Sequence, residues 1–402
     1  VVEKDALIEL GTTDEEGKLV FQADLPHGKY YIQEVEHKPG YLPNDEVYSF
    51  DASYTDQTLE LLAFSEEISN QPTITEFTKV DLTGGQEIEG AKMQILDQEG
   101  KVVEEWVSKK EAHVVYALAP GEYILHEEQA PTEQGYVRAE DVKFVVEETG
   151  DVQKVKMEDD HTKVSISKTD ITDGKEIEGA KLQILDQDGE VVESWTTGEE
   201  HLIEYLPVGT YTLHEEAAVD GYIVANDVEF TVEETGEIQK MKMEDERAMG
   251  QLVIVKTDTD SKAALEGVEF VLLEKETGKE VGRLKTGKDG KAVSELLPIG
   301  TYENGVFKEP ITYVLKETAT LKGYEKTEEE WEIVFTYQND KTPVIEVVKE
   351  IQNKKIPETP GTVKPGPKTG DDTNWFLPLL ALGVSAGMVA GLLYYRKRHK
   401  KA

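Results

Sequence analysis

Val164-Ser165-Ile166-Ser167-Lys168-Thr169-Asp170 is the stretch that decides how this chain folds. Taken with a period of two, Val164, Ile166 and Lys168 share one face of a strand. The same alternation aligns Leu252, Ile254 and Lys256, and also Phe77 and Lys79. A second strand type puts Glu127 in line with Tyr123 and Leu125, Glu215 with Tyr211 and Leu213, and Glu317 with Tyr313 and Leu315. A third type aligns Val155, Met157 and Asp159; Met241, Met243 and Asp245; and Ile351 with Asn353. An isolated buried lysine or carboxylate is costly, so these groups must neutralise one another or react. A lysine, a glutamate and an Asp or Asn, each on a core face, are the parts of a self-made amide crosslink.

The strands recur because the chain repeats itself. Residues 86–106 read QEIEGAKMQILDQEGKVVEEW and residues 175–195 read KEIEGAKLQILDQDGEVVESW. Each block is followed by a Pro/Gly turn, a Tyr-rich strand, a Gly-Tyr, an Asp-Val-x-Phe strand, a Glu-Glu-Thr-Gly turn and a Met-Glu-Asp strand. Lys79 to Lys168 is 89 residues and Asp159 to Asp245 is 86, a repeat long enough for a small domain. A diverged third copy runs from Gln251 through Leu315-Lys316-Glu317 and Gly323-Tyr324 to Ile351-Gln352-Asn353. A fourth, headless copy holds Gly28-Lys29-Tyr30-Tyr31-Ile32-Gln33-Glu34 and Gly40-Tyr41, with Asn70 as its last-strand residue. Its lysine strand and an export signal are both expected upstream of Val1. Short strands at regular spacing, parted by Gly/Pro/Asp turns, predict an all-β chain of antiparallel β-sandwiches strung in a rod. The expected boundaries are 1–72 (truncated), 73–161, 162–248 and 249–356.

Composition narrows the function. The 402 residues carry 43 Lys and Arg against 82 Asp and Glu, a formal charge of −39. That excludes most nucleic-acid binding, which needs a basic footprint. Cysteine is absent, so no disulfide closes these small domains. The C-terminus points outside the cell. Residues 357–374, with Pro357, Pro360, Gly361, Pro365, Gly366 and Pro367, read as an extended spacer. Residues 375–395 are uncharged and mostly apolar, long enough at about 1.5 Å per residue to span a bilayer core of roughly 30 Å. The basic residues of 396–402 then mark the cytoplasmic side.

On these residues the chain resembles Gram-positive surface proteins built from Cna B-type (SpaA-like, prealbumin-like) domains. The resemblance rests on Ser167-Lys168-Thr169-Asp170, Glu178-Gly179-Ala180, Leu213-His214-Glu215-Glu216, Gly221-Tyr222 and Met243-Glu244-Asp245. In that family a first-strand lysine forms an isopeptide bond with an Asp or Asn of the last strand, promoted by a buried glutamate. The resemblance therefore implies crosslinks from Lys79 to Asp159 with Glu127 as promoter, from Lys168 to Asp245 with Glu215, and from Lys256 to Asn353 with Glu317. The headless copy keeps Glu34 and Asn70 alone. Pro367-Lys368-Thr369-Gly370, followed by a span and a basic tail, is similar to the sorting signal that sortase cuts between Thr and Gly. Gly366 stands where that signal usually has leucine. The implied partners are sortase, transiently, and peptidoglycan, covalently.

Other signals are weaker. His126-Glu127-Glu128 and His214-Glu215-Glu216 lack the second His of a zinc-protease motif. Asp170–Gly174 suits a hairpin turn better than a calcium loop, so no metal or cofactor is expected. Trp106 and Trp195 recur with the repeat and read as packing. The sequence thus predicts a non-enzymatic, wall-anchored stalk or adhesin whose domains are clamped by their own amide bonds. Its rivals are a sortase-assembled pilus subunit, for which no Tyr-Pro-Lys motif is visible, and an adhesin whose binding domain precedes residue 1.

Overall fold

The alternation that aligns each lysine with apolar side chains is what builds the core. In the computed structural model, which describes residues 3–53 and 62–357, strand Lys163–Asp170 buries Val164, Ile166 and Lys168 together. They meet Leu182, Ile184, Leu213 and Met243 from facing and neighbouring strands, forming one apolar cluster between two sheets. Phe77, Met93, Ile95, Leu125, Val155 and Met157 form the equivalent core one repeat earlier. A third core, centred on Leu252, Ile254, Phe270, Leu272 and Leu315, fills the last repeat.

Each complete repeat is a pair of four-stranded sheets. In residues 73–161 the first sheet orders His113–Tyr116, Ile74–Asp81, Val152–His161 and Tyr136–Val137. The second orders Val102–Val107, Lys92–Leu96, Gly121–Gln129 and Val142–Val146. Residues 162–248 repeat this arrangement strand for strand. The last repeat keeps the second sheet and the pairing of first and last strands. Both short strands of its first sheet, Lys291–Val293 and Leu297–Pro298, however, pair with Met249–Asp258, and it adds the hairpin Gly300–Glu303 and Val306–Pro310.

The structure departs from the antiparallel sandwich expected from the turn spacing. The first and last strands of each repeat pair in parallel: Ile74–Asp81 with Val152–His161, Lys163–Asp170 with Ile238–Arg247, and Met249–Asp258 with Val344–Asn353. Parallel neighbours need a long crossover, and here the remainder of the repeat supplies it. Turn chemistry reports hairpins only, so this pairing leaves no local signature.

The first copy, residues 1–72, departs too. Within residues 3–53 and 62–72 the strands found are Lys29–Gln33 and Val47–Asp51, paired antiparallel. Asn70 lies in no strand. In the complete repeats the last strand takes its ladder mainly from the lysine strand. Here the segment around Asn70 pairs instead with the Gly-Tyr turn, where Leu42 N–H donates to the Gln71 carbonyl at 2.8 Å and Tyr41 bridges Pro72.

Candidate crosslinking sites

Parallel register brings each lysine to its acceptor. Lys79 lies opposite Met157, so Asp159 is one pleat further along on the same face. Glu127 reaches them from the facing sheet, on strand Gly121–Gln129. All three side chains are buried, at 4%, 0% and 0% exposure for Lys79, Glu127 and Asp159. Lys79 Nζ donates to Asp159 Oδ1 and lies 3.0 Å from Glu127 Oε2. The backbone N–H of Ala139 donates to the same Glu127 oxygen at 2.7 Å. One repeat later Lys168 Nζ donates to Asp245 Oδ1 and lies 3.0 Å from Glu215 Oε2, which accepts from Ala225 N–H at 2.6 Å. Glu128 and Glu216, next in sequence, point outward and are exposed.

Burial pushes the Asp159 carboxyl up to about 7; the charge of Lys79 opposes the rise and that of Glu127 adds to it. Asp245 is raised to about 7 for the same reasons, with Lys168 and Glu215 in those roles. Glu127 Oε1, Asp159 Oδ2, Glu215 Oε1 and Asp245 Oδ2 are buried without a hydrogen-bond partner. A proton held between the two carboxyls of each site would satisfy both of its orphaned oxygens, and the glutamate raises the aspartate through both its charge and its hydrogen bond. A protonated acceptor is an electrophile, whereas a carboxylate is not. A proton moved from the ammonium to the cluster leaves the amine free to attack.

The last repeat reaches the same arrangement with an amide. Lys256 Nζ donates to Asn353 Oδ1 at 2.5 Å and to Glu317 Oε2 at 2.9 Å. Asn353 Nδ2 donates to Glu317 Oε1 at 2.7 Å and to Thr320 Oγ1 at 2.7 Å. Glu317 therefore bridges the nucleophile and the group that would leave. Burial pushes the Lys256 amine down from its usual range, against the pull of Glu317. Lower basicity favours the neutral, nucleophilic amine.

In residues 1–72 the half-site persists. Asn70 Nδ2 donates to both oxygens of Glu34, at 2.9 and 2.7 Å, and to the Leu42 carbonyl at 2.9 Å. Glu34 also accepts from Asn44 N–H at 2.9 Å. Both side chains are only half-buried, and among the described residues no lysine strand covers them.

Sequence reasoning missed the amides of Asn44, Ala139 and Ala225. Each stands three residues after the tyrosine of a Gly-Tyr, a spacing that signals them in retrospect. It also missed Thr320, which occupies the place of Ala130 and Ala218 in the other repeats. Pro367, Lys368, Thr369 and Gly370, the apolar stretch 375–395 and the basic tail lie outside the described residues. Among the described residues no helix is long and apolar enough to cross a membrane.

No curated protein matches the chain. Among solved structures it is similar to the Bacillus anthracis TIE protein, at 26% identity and a TM-score of 0.49, over 77% of this chain and 55% of that one. The chain thus spans about half the length of that relative. It is also similar to BcpA, the major pilin subunit of Bacillus cereus, at 15% identity and a TM-score of 0.41, over 70% of this chain and 99% of that one. The prealbumin-like fold domain of the SpaA family matches four segments, residues 2–64, 73–161, 162–247 and 250–310. With most of its length matched in successive copies, the chain belongs to the SpaA prealbumin-like fold domain family.

Proposed function

We propose that this chain is a non-catalytic surface stalk, standing singly or within an assembled shaft, whose repeats close themselves by intramolecular amide bonds. The observation that carries the reading is the threefold recurrence of a buried amine touching an acceptor, with a glutamate bridging them. In the two Asp sites the neutral lysine nitrogen attacks the protonated acceptor carbon, the glutamate relays the proton, and water leaves. In the Asn site the same attack expels ammonia, which takes its proton through Glu317. The lysine strand opens each repeat and the acceptor strand closes it, side by side and parallel. A bond from Lys79 to Asp159 therefore carries tension from the first strand to the last while residues 80–158 bear none. Such a clamp suits an acidic chain with no cysteine.

Intact mass of the full chain tests the chemistry. The expected mass lies two waters and one ammonia below that of the sequence. An unshifted mass would leave buried ion clusters in place of bonds.

Anchoring belongs to the same proposal. Sortase attack at the Thr369 carbonyl would release Gly370 onward and join the new C-terminus to a peptidoglycan amine. Muramidase digestion of producing cells should then free protein ending in Thr369 plus wall fragments. Recovery from the membrane fraction alone, still carrying residues 375–402, would overturn it.

A further inference from the structure

The Gly-Tyr dipeptide recurs four times, at Gly40-Tyr41, Gly135-Tyr136, Gly221-Tyr222 and Gly323-Tyr324. The four glycines have φ of +91°, +78°, +89° and +88°, the left-handed region in which glycine meets no steric penalty. Conformation accounts for all four, yet three carry a second constraint. A Cβ at Gly40 would overlap the backbone of Ala117, one at Gly135 the backbone of Tyr205, and one at Gly221 the side chains of Phe307 and Tyr302. Every one of those neighbours belongs to the following repeat. At Gly323 no described atom stands within 4 Å of that position.

The carbonyl of the same glycine accepts from the residue at the boundary between repeats. Thr73 N–H donates to Gly40 O at 2.9 Å, Thr162 N–H to Gly135 O at 2.8 Å, and Ala248 N–H to Gly221 O at 2.8 Å. All three boundary residues are wholly buried. The carbonyls of Thr73 and Thr162 accept in turn from Ala117 N–H at 2.9 Å and Tyr205 N–H at 3.0 Å. Ala117 and Tyr205 both adopt left-handed φ, +59° and +62°, although neither is glycine. Side chains then lock the contact. Tyr205 O–H donates to Asp81 Oδ2 at 2.8 Å, and its ring stacks on His161 with centroids 3.9 Å apart. At the next boundary Arg247 binds Asp170 through Nε at 2.6 Å and lies over the Tyr302 ring at 4.1 Å. Tyr302 O–H donates to Gly221 O at 2.8 Å, and Tyr337 O–H to Tyr222 O at 2.9 Å.

We propose that the glycines of the Gly135-Tyr136 and Gly221-Tyr222 corners, like Gly40 before them, are docking sockets for the following repeat, so that residues 73–354 move as one stiff body. Successive domains in a chain ordinarily move relative to one another across small, polar contacts. Here the last strand of one repeat and the first of the next are separated by a single buried residue, as at Thr162 between His161 and Lys163. No slack is left at the boundary. The joint also sits on the strand that carries the clamp, since Asp81 follows Lys79 by two residues. Tension leaving one crosslinked pair would then enter the next without passing through a flexible linker.

The chain has no cysteine, which makes the test direct. Lys92→Cys and Lys181→Cys, both at exposed strand positions, carry spin labels in the full chain. Pulsed dipolar spectroscopy should give a single narrow distance peak. Gly135→Ala should abolish that peak, and so should Tyr205→Gly, which keeps a backbone tolerant of positive φ but removes the hydroxyl and the ring. Gly323→Ala, with equal φ strain and an empty socket, should leave the peak intact. A broad distribution in the chain bearing only the labels overturns the proposal, and so does a narrow peak that survives both joint variants.

Discussion

The Asp sites of residues 73–161 and 162–248 and the Asn site of residues 249–356 share strands, register and a bridging glutamate, yet they differ in where hydrogen atoms come from. At Asn353 the amide supplies two N–H groups, one to Glu317 and one to Thr320, and neither glutamate oxygen is orphaned. At Asp159 and Asp245 no such donor exists, and one oxygen of each carboxyl is left unpaired. The Asp sites must hold an extra proton to be satisfied, while the Asn site is complete without one, since both Glu317 oxygens already accept. One scaffold therefore serves two leaving groups, and pH reaches them through different atoms. The half-site in residues 1–72 makes the point from the other side. Among the described residues Glu34 and Asn70 find each other with no lysine bound to either, so the glutamate–acceptor contact forms there without the nucleophile.

The largest effect should come from removing a promoter. Glu215→Ala is expected to leave Lys168 and Asp245 unlinked, giving a mass one water heavier than expected for that variant once fully crosslinked. By analogy with loop closure by disulfides, opening this bridge should lower stability by about 4–5 kcal/mol, read as an earlier denaturant midpoint. Complete crosslinking in the variant would reduce Glu215 to packing and erase its likeness to Glu317.

Next in size is the pH response of bond formation, followed by mass in freshly synthesised chain refolded at a series of pH values. The folded-state pKa of Asp159 and Asp245 is raised, so the reactive neutral carboxyl is present below about 7 and is lost as pH rises through it. Above that point the Asp sites should slow by about tenfold per pH unit. Asn353 has no proton to lose there, and the lowered Lys256 pKa means that its reaction should instead quicken as the amine becomes neutral. The same raised carboxyls contribute stability to the unlinked Asp repeats that is full below the unfolded pKa, about 3.9, and is lost progressively as pH rises to about 7, because over that range only the native state holds the proton. Parallel profiles at all three sites would collapse the comparison.

Asp245→Asn sharpens it further. The new amide would face the orphaned Glu215 Oε1, and the product bond is the same whichever group leaves. The crosslinked variant should therefore match the crosslinked parent in mass while releasing ammonia, and its site should lose the decline above about 7. Failure to crosslink would show that the Asp repeats depend on a carboxyl proton for more than the leaving group. The smallest effect is expected from Thr320→Ala, which gives the last repeat the alanine found at Ala130 and Ala218. Loss of one hydrogen bond to Asn353 should cost about 0.5–1.5 kcal/mol before reaction and slow bond formation by a comparable factor. An unchanged rate would make Thr320 a bystander.

Much of this was legible in the residues. Alternation placed Lys79, Lys168 and Lys256 on core faces, and the structure buries all three. The copied blocks disclosed the repeat, and parity on the Tyr-Leu-Glu strands picked out Glu127, Glu215 and Glu317 while turning Glu128 and Glu216 outward. What stayed hidden is non-local. The parallel pairing of first and last strands joins residues some eighty positions apart, which turn chemistry does not report. The amides of Ala139 and Ala225 act through backbone, so no side-chain pattern advertises them. Asn70 had the right parity but lies in no strand.

By itself, then, the sequence determined which residues face the cores, because side-chain direction along a strand alternates with a period of two whatever the strand later pairs with. It determined as well that the chain repeats, and that sulfur closes none of the repeats. Only the tertiary structure decided which lysine meets which acceptor, which oxygens are left without a donor, and that a Cβ at Gly135 or Gly221 would overlap the next repeat. Those are distances between segments far apart in the chain, and they exist only once the two sheets have closed over a shared core.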